Sequence, residues 1–158
     1  MRLQGSELLR DERNLALLRL LRENPRAAIS DLARGIEMSA PAVRERLLRL
    51  EESGVIAGYR TLTDPSALGY PIAVFIRVRP MPGKLPKIVE VAERTPEVVE
   101  CYRITGEDCF IIKAHLKRLE ELDQVLDRFL VYGQTTTSLV QSAPIPLRDL
   151  PLPGDIRR

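Results

Sequence analysis

Tryptophan is absent from this chain, histidine occurs once, cysteine twice, and aromatics make up only 4% of 158 residues. These shortages exclude whole classes of chemistry. His115 with Cys101 and Cys109 falls short of the four ligands of a structural zinc site. A single imidazole leaves little material for proton transfer, and no nucleophile–base constellation or Gly-rich phosphate loop is legible. No catalytic residue, metal or cofactor is therefore expected. No apolar run approaches the ~20 residues of a membrane span, and no signal peptide is visible, so the expected setting is cytoplasmic, with no membrane partner. The two cysteines fall on adjacent strands of one expected hairpin. They lie four or five residues apart along its ladder, roughly 13–16 Å, which is too far for a disulfide. Reduced thiols suit a cytosolic protein.

An excess of one charge is also missing. The net charge is +2, and residues 1–64 hold 11 Arg, no Lys and 10 acidic residues. Bulk charge therefore cannot carry a nucleic-acid reading, which must rest on local arrangement. What is present is ordinary for a globular protein, with 44% hydrophobic and 29% charged residues. That balance excludes global disorder, and the length suits one or two small domains.

The most informative stretch is Ile29 to Tyr59. Ser30 and Ser39 each read as a helix N-cap, because a serine oxygen can accept a first-turn backbone N–H. Gly35 stands between them, where a short helix must stop and turn. Val43, Leu47 and Leu50 then fall on one stripe of the second helix. Ahead of the pair, Leu15, Leu18 and Leu21 mark a supporting helix over residues 11–23, ended by Asn24-Pro25. Two short helices, a tight turn and an Arg-bearing second helix make a helix-turn-helix, whose second helix enters the DNA major groove. Residues 1–62 are assigned to that domain and 63–70 to a linker.

From Pro71 the pattern changes. Strands are predicted over Ile72–Val78, Val98–Ile104, Phe110–Leu116 and Thr135–Val140. Helices are predicted over Leu85–Ala92 and Leu119–Phe129, with Gly133 as a helix stop. The order β-α-β-β-α-β is the ferredoxin-like arrangement, assigned to residues 71–143. The fold class is thus α+β, a winged-type helix-turn-helix followed by a βαββαβ domain. Such a sheet carries both helices on one face. Its other face, expected to bear Val74, Ile76 and Val78 or their alternates, needs cover, for which a dimer is the usual solution. Residues 144–158, with four prolines, form an extended tail.

On a helical wheel, Pro41, Glu45 and Leu48 lie opposite the buried stripe, flanked by Arg44 and Arg49. With Ser39 and Ala40 at the helix start, these are the candidate contacts to double-stranded DNA. Arg44 is the best base-edge candidate, Arg49 suits phosphate, and Arg46 lies nearer the buried stripe, where it can brace helices. The competing reading is a solvated surface in which the arginines pair with Glu45 and Glu51. In the second domain, Gly106 suits a tight turn with room for a ligand. Thr135, Thr136 and Thr137 offer hydroxyls, although alternation forbids all three from lining one pocket. Tyr102 reads as a pocket wall or as sheet packing, and His115 as a strand residue.

The run Ser39-Ala40-Pro41-Ala42-Val43-Arg44-Glu45-Arg46-Leu47-Leu48-Arg49-Leu50-Glu51, then Gly54-Val55-Ile56 and Gly58-Tyr59, resembles the Lrp/AsnC, or feast/famine, family of bacterial and archaeal transcriptional regulators. That family has S-x-x-x-V-x-x-R-[IVL]-x-R-L-E-x-x-G-[VF]-I-x-G-Y there. The resemblance extends over about residues 8–145. A second motif is Val99-Glu100-Cys101-Tyr102, Thr105-Gly106-Glu107 and Phe110-Ile111-Ile112-Lys113. The resemblance implies an effector pocket at this hairpin between subunits, commonly for an amino acid. It thereby points to Tyr102, Gly106, Glu107, Asp108 and the three threonines. Many members carry Asp three residues after the Gly; here that place is Cys109, and the acid is Asp108. The reading is a sequence-specific DNA-binding regulator acting as a homodimer, with tetramers or octamers as further assemblies. An amino-acid-sensing regulatory subunit that does not act on DNA is the alternative.

Overall fold

The computed structural model describes residues 2–155, so Met1 of the expected first domain and residues 156–158 of the expected tail lie outside the description. The chain forms two compact units. One holds the residues up to Thr61 together with those from Leu147 onward, and the other spans Leu62–Pro146.

Among the described residues the first unit has four helices: α1 (Arg2–Leu8), α2 (Glu12–Glu23), α3 (Ile29–Gly35) and α4 (Ala40–Glu52). Asp11 caps α2, its carboxylate accepting the Arg13 amide at 2.8 Å. Leu15, Leu17 and Leu18 of α2, Leu32 and Ala33 of α3, and Val43, Leu47 and Leu50 of α4 share one buried cluster. Ser39 caps α4 as expected, accepting the Ala42 amide at 3.4 Å. The expected cap at Ser30 is not found. The N-cap of α3 is Ala28, with no side-chain bond, and Ser30 is exposed within the first turn. Ile29 packs against the core, so tertiary packing rather than capping sets this start. Helix α3 ends at Gly35 as expected, but the turn itself is made by the two residues that follow. The left-handed position is Glu37 at φ 53°. A Cβ on Gly35 would lie 2.6 Å from Leu20 Cδ1, so the glycine allows α2 and α3 to pack closely. Among the described residues no strand lies between α4 and the first strand of the second unit.

The tail belongs structurally to the first unit. Leu152 is 7% exposed and joins the helical core. Arg19 donates to Asp155 Oδ1 through Nε at 3.1 Å and Nη2 at 2.8 Å. Arg22 donates to the Leu150 carbonyl at 2.7 Å. Asp155 also accepts the Leu152 amide at 3.1 Å, closing a turn around the buried leucine.

The second unit is built from β1 (Ile72–Pro80), α5 (Leu85–Glu93), β2 (Val98–Arg103), β3 (Phe110–Leu116), α6 (Leu122–Leu130, preceded by a 3-10 turn at Leu119–Glu121) and β4 (Gly133–Leu139). Its four-stranded antiparallel sheet has the order β2-β3-β1-β4. Val74, Ile76 and Val78 face inward with Phe110, Ile112, Ala114 and Leu116, under Ile88 and Ala92 of α5 and Val125 and Phe129 of α6. The open face therefore carries the alternates Ala73, Phe75, Arg77 and Arg79, and is more polar than Val74, Ile76 and Val78 would make it. Gly133 opens β4 rather than ending a helix. It pairs with Pro80, and a Cβ there would lie 2.5 Å from the Arg79 carbonyl oxygen. The cysteines are closer than expected. Arg103 pairs with Phe110 and Ile104 bonds to Cys109, so Cys101 is three residues along the ladder, ~10 Å away. Both are free.

The Leu152 contact yields a direct expectation. Leu152→Ala should lower the stability of the first unit by about 2–4 kcal/mol, seen as a lower denaturant midpoint and faster amide exchange in α2. The Arg19 hydrogen bond holds the Asp155 carboxyl below its ordinary value of 3.8. A lowered carboxylate pKa stabilises the fold above the unfolded value and loses that contribution as pH falls. Tail docking should therefore loosen below about pH 4, and Asp155→Asn should flatten that acid limb. Unchanged exchange in Leu152→Ala would count against a structural role for the tail.

Candidate functional site

Helix α4 presents two faces of opposite character. Its inner stripe is buried, with Val43 and Leu50 at 0% exposure and Leu47 at 8%. Pro41, Arg44, Glu45, Leu48 and Arg49 are exposed, as is Ser39 just before the helix; Ala40 is half-buried. All seven candidate DNA contacts thus fall at the start or along the outward side of one helix. Arg44 has no ion pair among the described residues, which leaves its five donors free for a base edge or a phosphate. Arg49 is engaged, its Nη2 donating to Glu45 Oε1 one turn back. Both partners are well exposed, so the pair is weak and open to exchange. Leu48 is 53% exposed, an apolar side chain in the middle of a charged face and suited to a thymine methyl.

Arg46 behaves differently from its neighbours. Its Nη1 donates to Asp11 Oδ2 at 2.6 Å and to Asn14 Oδ1 at 2.7 Å. Asn14 is 2% exposed, and its amide donates to the Leu8 carbonyl at 2.8 Å. The guanidinium holds the Asp11 carboxyl below its usual range, chiefly through that hydrogen bond. After α4, Tyr59 donates its hydroxyl to Glu51 Oε1 at 2.8 Å, which ties the following segment back to the helix.

In the second unit the hairpin between β2 and β3 turns at Gly106, whose φ is +112°. An added Cβ there would meet nothing within 4 Å, so a substitution is limited by backbone strain and not by crowding. Glu107 and Asp108 follow and reach across to β1. Arg77 Nη1 lies 3.5 Å from Asp108 Oδ2, and Arg79 Nε lies 3.8 Å from Asp108 Oδ1. Arg79 also donates to Glu107. Thr136 is the register partner of Arg77 and lies on the same open face. Thr135 and Thr137 pair with Val78 and Ile76 and belong to the helix-covered face. The structure thus brings Asp108, Glu107 and Thr136 together around two arginines, and separates the other two threonines from them. Tyr102 is the register partner of Ile111, next to Arg77 in the ladder, and its hydroxyl donates to Glu100 Oε2 at 3.0 Å. Glu100 raises the Tyr102 pKa by accepting that bond.

Arg77 and Arg79 were not singled out from the sequence. The signal existed: two arginines at a spacing of two, out of phase with Val74, Ile76 and Val78. His115 is half-buried on β3, where its backbone amide bonds to the Glu97 carbonyl. Among the described residues, no group of three or more His, Cys, Asp and Glu is arranged to hold a metal. No described helix is long and apolar enough to cross a membrane.

Comparison with known proteins agrees with both halves of this geometry. Residues 10–57 match the family model for a winged helix-turn-helix DNA-binding domain. Residues 73–150 match the Lrp/AsnC ligand binding domain. The HTH-type transcriptional regulator FL11 of Pyrococcus horikoshii is 32% identical over 117 residues, covering 74% of this chain and 78% of its own length. The structure of Bacillus subtilis LrpC superposes with a TM-score of 0.78 at 27% identity, over 84% of this chain and 94% of LrpC. A transcriptional regulator from Neisseria meningitidis, solved as a complex with L-Met, superposes with a TM-score of 0.81 at 26% identity, over 90% and 97% of the two chains. An exposed helix of the helix-turn-helix, a βαββαβ sheet and these likenesses lead to one conclusion: the chain belongs to the Lrp/AsnC family and is a DNA-binding transcriptional regulator, not an enzyme, with a ligand-binding domain.

Proposed function

We propose that the protein is a sequence-specific cytoplasmic regulator that binds double-stranded DNA as a homodimer and responds to an amino acid. Residues 1–62 read the operator and residues 71–143 sense the effector and assemble the protomers. One observation carries the DNA reading: the outer face of α4 is exposed along its length, with Arg44 unpaired, while the inner face is locked in the core. Arg44 sits in the first half of the helix and is assigned to a base edge, bidentate to guanine. Arg49, nearer the C-terminal end, is assigned to phosphate, for which it exchanges Glu45.

One recognition helix buries too little surface for tight specific binding, so two half-sites about one helical turn apart, or a multiple of it, are required. The open face of the sheet is the proposed contact between protomers. It joins Phe75, Ile111 and Tyr102 to the arginines of β1. Tetramers and octamers are further assemblies of the same dimer.

The effector reading rests on the hairpin cluster. A free amino acid needs a cation for its carboxylate and a carboxylate for its ammonium group. Arg77 and Arg79 supply the first, and Asp108 and Glu107 supply the second. Without a ligand they neutralise one another. L-Met in the Neisseria relative makes amino acids the ligand class to test first.

Outcomes are expected for DNA binding, for assembly and for the effector response. Arg44→Ala should cost about 1–3 kcal/mol per half-site on a duplex selected from a random pool and should relax specificity at one position. Arg49→Ala should instead weaken every duplex and flatten the salt dependence. Parent-like binding by Arg44→Ala would remove that residue from the groove. By sedimentation the full chain should be a dimer or larger at micromolar concentration; a monomer there would sink the symmetric reading. In calorimetry against the twenty L-amino acids, at least one should bind. Arg77→Gln should weaken it by tenfold or more, the value of about 1.5–3 kcal/mol for a charge-assisted hydrogen bond. Gly106→Thr should retain DNA binding but lose the response. An intact response in both variants would move the effector site elsewhere.

A further inference from the structure

We propose that Arg46 is a positioning residue for DNA recognition, a brace that sets the roll of α4 without itself touching the duplex. The proposal rests on the DNA-binding reading above. Arg46 lies two residues after Arg44 and three before Arg49, yet its side chain is 25% exposed where that of Arg49 is 63%. A spacing of two residues on a helix is a rotation of about 200°, so Arg46 points away from the groove when Arg44 points into it. Its guanidinium is held by Asp11 and Asn14 at 2.6 and 2.7 Å. Asp11 is the N-cap of α2, and its other oxygen holds the Arg13 amide at 2.8 Å. Asn14 passes the connection to the end of α1 through the Leu8 carbonyl at 2.8 Å. One side chain of α4 thus ties that helix to the first turn of α2 and to α1.

The physical need for such a tie follows from the rest of the contact. Val43, Leu47 and Leu50 hold α4 by aliphatic burial, which is non-directional and permits small rolls of the helix. Side chains reach ~5–6 Å from a helix axis, so a 20° roll moves a side-chain tip by ~2 Å. That is enough to break a bidentate base contact while leaving looser phosphate contacts intact. Charge-assisted hydrogen bonds are directional and suit the task of fixing the roll. Swinging Arg46 out to a phosphate would leave Asp11 Oδ2 without its cation and Asn14 Oδ1 without its donor. The brace and a phosphate contact are therefore mutually exclusive roles.

The test uses the full chain and two duplexes: one selected by the parent from a random pool, and a scrambled version of it. Arg46→Met keeps the aliphatic stem and removes the guanidinium. Asp11→Asn keeps a good N-cap side chain and removes the carboxylate. Both are measured for affinity across a salt series, with thermal melting as the check on folding. The brace predicts that each variant loses at least tenfold on the selected duplex and little on the scrambled one, with an unchanged salt slope. The double variant should be no worse than the weaker single one. A slope reduced by about 0.9 per half-site, with both duplexes weakened alike, would make Arg46 a phosphate ligand and overturn the proposal. Parent-like or tighter binding by Asp11→Asn would overturn it equally. Where Arg46→Met does not fold, Asp11→Asn carries the test with the same two outcomes. A parent chain that selects no duplex at all removes the DNA-binding reading, and this proposal with it.

Discussion

Everything this protein can do with DNA depends on the burial of one stripe of α4. Val43, Leu47 and Leu50 are locked against α2 and α3, and that lock decides which side of the helix is left for a ligand. Burial of three aliphatic side chains is worth several kcal/mol at about 1.5–3 each, a large share of a small unit's net stability. It leaves no freedom to turn the arginine face inward. The same stripe, however, has little angular resolution, and the Asp11–Arg46–Asn14 connection supplies a directional contact where the hydrophobic one is weakest.

The second unit divides its labour in the same way, with a different period. Alternation along β1 sends Val74, Ile76 and Val78 under the helices and leaves Phe75, Arg77 and Arg79 outside. The core and the candidate effector cluster are therefore two faces of one strand. The arginines are held by the same hydrogen-bond ladder that seats the core, which makes β1 a firm platform. The hairpin between β2 and β3 is its acidic partner. It is tied to β1 by ion pairs from exposed arginines to the exposed Glu107 and the half-buried Asp108. A cationic strand thus faces an acidic hairpin across the open side of the sheet.

The tail shows how an element with no secondary structure can still be structural. Residues 147–155 form no helix or strand, yet Leu152 fills part of the helical core, while Arg19 holds the Asp155 carboxylate and Arg22 the Leu150 carbonyl on either side of it. Exposed ion pairs contribute little by themselves. The buried leucine supplies the energy and the arginines supply the register.

Sequence alone determined the periodicities, and with them most of the fold. The stripe of α4, the alternation in β1 and β3, the Ser39 cap and the βαββαβ order are local patterns, legible because each element must bury one face. The outward candidates Arg44, Glu45, Leu48 and Arg49 followed by subtraction. Tertiary structure decided what depends on neighbours distant in the chain. It moved the start of α3 from Ser30 to Ala28 because Ile29 has a core to enter. It gave Gly35, at the end of α3, a second role in close packing against Leu20, and turned Gly133 from a helix stop into a point of close approach to the Arg79 carbonyl. It gave Arg46 its partners 32 and 35 residues away, and gave the tail a leucine's place in the DNA-binding unit. Local pattern encodes which face is buried; only the assembled chain determines which atoms meet there.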